Sequence, residues 1–207
     1  MAVRAPTSRS RPFTLAIHEL AACPHPGVLL DLDGTVLFLN DAWERFGRAA
    51  CRQCELAVGM RLVEAAQGAE PRRALSQLLA RAAHGDGACS VTLECNGPDL
   101  ARLLSMTVSP VMAGHEPVGL TVIQKLVREL PVAEVYPVVE GAAADYRDPA
   151  GTLAQCSCCR RTRRPAAPEE WDFVPALVAA PPPDTDFGYC PLCRELHGPL
   201  GPQEQSP

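Results

Sequence analysis

Gly27 to Phe46 reads GVLLDLDGTVLFLNDAWERF. Two apolar runs, Val28–Leu30 and Val36–Leu39, flank Asp31-Leu32-Asp33-Gly34-Thr35, and Asn40-Asp41 opens a segment of helical character. The stretch has two incompatible readings. In one, Asp31-Leu32-Asp33-Gly34-Thr35 closes a buried strand and carries a phosphoryl-transfer nucleophile. In the other, Asp33-Gly34 is the turn of a hairpin, because Gly adopts positive φ freely and Asp tolerates it. Neither aspartate then does chemistry. Asn40 and Asp41 are good cap residues for the following helix, and in the hairpin reading Asn40 is the cap.

The chain has 207 residues, 47% of them hydrophobic, enough for one medium domain and a small one. The formal charge of -5 disfavours a general nucleic-acid binder, which needs a basic face. No apolar run approaches the roughly 20 residues needed to cross a bilayer. Residues 1–12 hold Arg4, Arg9 and Arg11 and no acid. They resemble a transit peptide in composition only and are expected to be a disordered start. Without a secretion signal, the expected location is the cytoplasm, where the ten cysteines would be reduced thiols or metal ligands.

Outward from the central stretch, residues 13–23 predict a short helix that ends before Pro24 and Pro26. Ala74, Leu75, Leu78, Leu79, Ala82 and Ala83 recur at helical spacing and predict a helix over 71–84. Beyond Gly85-Asp86-Gly87 the period becomes two. Cys89, Val91, Leu93 and Cys95 alternate with polar residues, then Leu104, Met106 and Val108 do, and Val118–Lys125 is a last strand. Turns at Asn96-Gly97-Pro98 and Gly114-His115-Glu116-Pro117 link these three strands as hairpins. The predicted class is α+β: a five-stranded antiparallel sheet with helices on one face, plus a small C-terminal module. The expected organisation is a sheet domain over 13–128, a Pro- and acid-rich linker over 129–152, a cysteine module over 153–198 and a disordered tail over 199–207.

The order of elements over 27–126 resembles the PAS family: strand, acidic-Gly turn, strand, Asn, a short helix with an aromatic, further helices, then three antiparallel strands. That resemblance implies a sensor or dimerisation domain rather than an enzyme, with homodimerisation through this domain. The competing resemblance is to haloacid-dehalogenase phosphatases, whose D-x-D-G-T matches Asp31–Thr35. It would make the chain a Mg2+-dependent phosphatase using Asp31 and Asp33. That family also needs a Lys and a late acidic pair. Lys125 is the one lysine, and Glu140 and Asp145–Asp148 do not follow an apolar strand.

The PAS resemblance does not name a ligand, and none need be bound. Trp43, Leu93, Met106, Leu120 and Val122 are the candidate pocket lining, although such apolar positions are more often plain core. His84 would be the ligand if haem were held; it also suits a solvated helix end. Flavin photosensors of the family place a Cys in an N-C-R-F-L-Q string, unlike the surroundings of Cys51 and Cys54, which form an isolated C-x2-C.

Cys156, Cys159, Cys190 and Cys193 spell C-x2-C-x30-C-x2-C. Four thiolates in two knuckles suit tetrahedral Zn2+, and a segment of this size gains from a metal what its core lacks. A redox dithiol or disulfides remain the alternatives, and Cys158 is a fifth thiol without a role. The module resembles a cysteine-rich segment that follows PAS or receiver domains in some bacterial signalling proteins. Arg160-Arg161, Trp171 and Cys190-Pro191 fit its pattern, whereas a Trp in the first knuckle and a Ser-His before the second are absent. The resemblance implies a two-component-related adaptor whose zinc module contacts a signalling partner. Arg160, Arg161, Arg163 and Arg164 invite a nucleic-acid reading, but Glu169, Glu170, Asp172, Asp184 and Asp186 follow closely. The preferred reading is a solvated loop paired with those acids or with a partner protein.

Overall fold

A computed structural model describes residues 10–50, 56–84 and 87–197, with no side-chain account for Ser10 or 47–50. Cys51 and Cys54 lie outside the described residues. The chain forms two compact units. Of the described residues, one comprises those up to Ala65, within Ser76–Thr92 and Ser105–Leu126; the other comprises Ala66–Leu75, Leu93–Leu104 and those from Val127. The unit that holds the paired cysteines therefore starts well before residue 153.

The elements of the sheet region are α1 (Ser10–Ala22), β1 (Gly27–Leu30), β2 (Val36–Leu39), α2 (Asp41–Ala50), α3 (Ala69–Ala83), β3 (Cys89–Glu94), β4 (Leu100–Ala113) and β5 (Glu116–Pro131). They build a five-stranded sheet in the order β2-β1-β5-β4-β3. Strand β1 is antiparallel to both neighbours, with Val28 opposite Leu39 on one side and Val122 on the other. The sheet is antiparallel around β1, as expected. It does not provide the parallel strands and crossover helices that the phosphatase alternative requires, and that alternative is not retained.

All four residues of β1 are buried. Leu29 packs with Ala16 and Leu20 of α1 and with Val111, against Phe13, Phe38 and Ile123. Val28 and Leu30 point to the opposite face and are equally buried. Both faces of β1 are therefore covered, a correction to the expected one-sided arrangement. Gly119 lies on the α1 face because a Cβ there would meet Phe13 and the Leu30 carbonyl, each at 2.6 Å.

The hairpin between β1 and β2 is longer than the expected two-residue turn. Gly34 N–H donates to the Asp31 carbonyl at 3.1 Å and Gly34 adopts φ +82°. A register shift follows between Leu29 and Leu30, as a bulge requires. After the turn, Asn40 is buried and ties three segments together. Its Nδ2 donates to the carbonyls of Leu20 and His25 at 2.9 and 2.8 Å and shares a hydrogen with that of Cys23 at 3.2 Å. Its Oδ1 accepts from Gly27 N–H and from Trp43 N–H, both at 2.9 Å. The last of these is the helix cap.

In the second unit, α4 (Val132–Val135), β6 (Leu153–Cys156), β7 (Thr162–Arg163), β8 (Trp171–Asp172), α5 (Pro175–Ala179), β9 (Thr185–Gly188) and α6 (Pro191–His197) follow in order. Four of them form a sheet ordered β8-β7-β6-β9. Strands β6 and β9 are parallel, Leu153 opposite Thr185 and Cys156 opposite Gly188. The segment read as a linker is folded. Val132 packs with Ala101, Phe173 and Val178, and Tyr136 stacks on Phe173 at 5.4 Å. Tyr146 packs with Leu153, Val174 and Leu177 and donates to Asp172 Oδ2 at 2.8 Å.

Candidate metal centre

The parallel pairing of β6 with β9 sets Cys156 beside Gly188, two residues before Cys190. It brings the two cysteine knuckles together although 30 residues separate them. The first knuckle is a tight turn: Arg160 N–H donates to the Cys156 carbonyl at 3.0 Å, and Cys156 N–H to the Arg161 carbonyl at 2.8 Å. Arg160 takes φ +65°, a left-handed conformation that lets the chain reverse after Cys159. In the second knuckle, Cys193 N–H donates to Cys190 Sγ at 3.5 Å as α6 begins.

The sulfurs of Cys156, Cys159, Cys190 and Cys193 all lie within 4.8 Å of one another, and all four residues are buried. Cys159 Sγ and Cys190 Sγ are 3.7 Å apart. A disulfide would need about 2.05 Å. A tetrahedral zinc site with Zn–S near ~2.3 Å has sulfur-to-sulfur edges of ~3.8 Å. The donor set and its spacing therefore fit a four-thiolate metal centre. No disulfide joins the described cysteines. Hydrogen bonds from Cys156, Cys159 and Cys193 pull the Cys190 thiol strongly down, while sulfur contacts led by Cys156 push Cys193 up.

The surroundings complete the site. Leu93, Trp171 and Tyr189 pack against the cysteine cluster. Arg161 donates from Nε to Cys159 Sγ at 3.3 Å and from Nη2 to Cys190 Sγ at 3.5 Å, and its guanidinium lies over the Tyr136 ring at 5.6 Å. Tyr136 in turn donates to Glu94 at 2.6 Å, and Asn96 Nδ2 donates to the Cys159 carbonyl at 3.0 Å. Burial, then the Glu94 carboxylate, pushes the Tyr136 phenol up, so it stays a donor. Arg160 is buried, donates to Gln67 at 2.8 Å and covers the Phe187 ring. Arg164 pairs with Glu170 and with Asp172. Arg163, partly exposed, pairs with Asp148 at 3.9 Å, so the expected acid-paired loop holds for Arg163 and Arg164. Arg160 and Arg161 are structural, and the proximity of Arg161 to sulfur was invisible in a sequence where it read as one of a run of surface cations.

The other candidate residues divide as follows. Asp31 Oδ1 accepts from Thr35 N–H at 2.8 Å and so closes the hairpin. Asp33 is exposed, and its carbonyl accepts from Arg61 at 3.3 Å. Met106, Leu120 and Val122 are buried, with Leu120 and Val122 paired to Leu30 and Val28. Trp43 is half-buried at the start of α2. His84 is exposed at the end of α3 with its Nδ1 2.5 Å from the Ala80 carbonyl oxygen, the solvated helix-end arrangement. Sequence reading missed His197, which is buried on α6 four residues after Cys193. The Cys193–His197 spacing was the available signal, but it speaks only once a helix is known to run there.

No family model and no curated protein matches the chain. Among solved structures, the PAS domain of Bordetella pertussis BvgS is similar at 18% identity and a TM-score of 0.47, over 60% of this chain and 91% of that one. A LOV protein of Rhodobacter sphaeroides is similar at 15% identity and 0.44, over 57% and 68%. A PAS domain from Colwellia psychrerythraea is similar at 13% identity and 0.41, over 56% and 96%. Strand order and register, rather than these likenesses, define the fold. No helix among the described residues is long and apolar enough to cross a membrane.

Proposed function

We propose that the chain is a signal-transduction sensor or adaptor without catalytic activity of its own. The PAS-type domain, residues 13–128, reads a small-molecule or redox cue or forms a homodimer. The module over 153–198 is held by one structural Zn2+ and contacts a signalling partner in the cytoplasm. The observation that carries this reading is the convergence of four buried thiols at metal-ligand spacing. Cys156, Cys159, Cys190 and Cys193 would hold the ion, which would supply a cross-link between strands and helix that a small core does not. Arg161 offsets part of the charge that four thiolates bring with them. The antiparallel sheet supports the sensor half, because its Asp-Gly hairpin is architectural.

Mass spectrometry of the purified, reduced full chain under non-denaturing conditions tests both halves. One zinc per chain, a dimer mass, and loss of the zinc in Cys190→Ser are expected. A metal-free chain that takes up no added zinc would overturn the metal half, and a monomer with no bound small molecule would leave the sensor half without support.

A further inference from the structure

Three donors stand beside the quartet. Cys158 Sγ, Cys193 Sγ and a ring nitrogen of His197 all lie within 4.8 Å of one another, and all three residues are buried. Cys158 sits inside the first knuckle, between two quartet members. Cys193 and His197 are one helical turn apart on α6, so both side chains leave the same face of the helix. A buried imidazole needs partners. Here the Tyr189 ring packs against it, tilted and 6.0 Å away, and the Cys158 side chain is its hydrogen-bonding neighbour. The Cys158 thiol reaches the Glu94 carbonyl at 3.3 Å and also meets Cys193 and His197.

We propose that Cys158, Cys193 and His197 form a second zinc site, which shares the Cys193 sulfur with the four-cysteine centre. The proposal rests on the zinc reading of the quartet. Two sulfurs and one imidazole nitrogen are a donor set for a borderline-soft divalent ion of the Zn2+ class. A thiolate sulfur has lone pairs enough to bind two such ions at once. Charge favours the second ion. Zinc in a four-thiolate site carries net negative charge into a buried place, and a further thiolate from Cys158 deepens it, while Arg161 returns only one positive charge. A second dication beside Cys193 brings the cluster and Arg161 together close to neutrality. Three protein donors leave one tetrahedral position open for water or another small ligand, the mark of an exchangeable rather than a closed site. The chain then carries one permanent ion and one that fills when free zinc is plentiful, and the second ion is a candidate for the cue itself.

The test is a zinc titration of the reduced full chain, read by non-denaturing mass spectrometry. The wild type is expected to take one ion at substoichiometric zinc and a second in excess. Cys158→Ser and His197→Gln are each expected to keep the first ion, which also shows that the module still folds, and to lose the second. Cys190→Ser is expected to lose the first. A wild type that never exceeds one ion, or variants that still bind two, overturns the second site and leaves the quartet standing. A wild type that binds no zinc overturns the quartet reading as well.

Discussion

Replacing Asn40 tests the sheet domain most sharply. Its side chain is 2% exposed and serves five backbone groups in three segments. Some of those groups have a second partner: the Leu20 carbonyl also accepts from Cys23 N–H, and Trp43 N–H also reaches the Asn40 carbonyl. Counting two groups as stranded in Asn40→Ala, at about 1–3 kcal/mol each, and about 1 kcal/mol for the lost cap, the loss is about 3–7 kcal/mol. Asn40→Asp keeps the shape and both acceptor bonds but points a carboxylate at three carbonyl oxygens. That carboxyl's folded pKa is raised, so the damage is greatest above the folded pKa and eases as pH falls through it. The assay is urea unfolding followed by Trp43 fluorescence in a Trp171→Phe background, at pH 8 and pH 5. With a slope of about 1–2 kcal/mol per molar, the Asn40→Ala midpoint should drop by at least about 1.5 M. A midpoint unchanged within about 0.3 M, or an Asn40→Asp chain equally stable at both pH values, would refute the network.

Three further outcomes follow from the second unit. Arg161→Gln should let a chelator strip zinc about 10-fold faster, with Arg161→Lys intermediate, because the forked donors to Cys159 and Cys190 are lost; a colorimetric chelator gives the rate. Glu70 is held below the usual carboxylate range by its hydrogen bond from Arg194, against burial and with help from Tyr189 N–H. Its contribution is complete above its unfolded value of about 4.3 and is lost as pH falls through the lower folded value. The pair is largely exposed, so Glu70→Gln should cost under about 1 kcal/mol at pH 7, and the gap to wild type should close in acid denaturation series. Gly68 has φ +94°, and a Cβ there would meet the Phe187 carbonyl oxygen at 1.9 Å. Gly68→Ala should therefore destabilise the unit by about 2 kcal/mol or more, read as earlier loss of zinc on heating.

Much of the architecture was legible because it rests on local pattern. The β1–β2 hairpin follows from two apolar runs around Asp-Gly, and α3 from the 3.6 period of Leu75, Leu78, Leu79 and Ala82. Asn40 could be read as a cap from its type and place. Its reach back to Leu20, Cys23 and His25 could not, because that depends on where α1 ends in space. The cysteine quartet was visible as spacing. Strands β4 and β5 extend past the predicted segments since Leu100–Leu103 and Leu126–Pro131 lose the clean alternation that marks a half-buried strand. The folded state of 129–152 was hidden by its prolines and acids, which suggested a tether while Val132, Tyr136 and Tyr146 supplied the anchors.

The parallel pairing of β6 with β9 has a consequence for biosynthesis. Each half of the quartet is a separate C-x2-C, and the halves meet only after the intervening hairpin, α5 and the Pro181–Pro183 loop have been made. During translation Cys156 and Cys159 are displayed as a bare dithiol while Cys190 and Cys193 are still to come. A growing chain in that condition is vulnerable to oxidants and to mispairing with Cys158. On the zinc reading proposed above, yield of correctly metallated protein should then depend on how reducing and how zinc-replete the cell is while synthesis proceeds, more than on the stability of the finished centre.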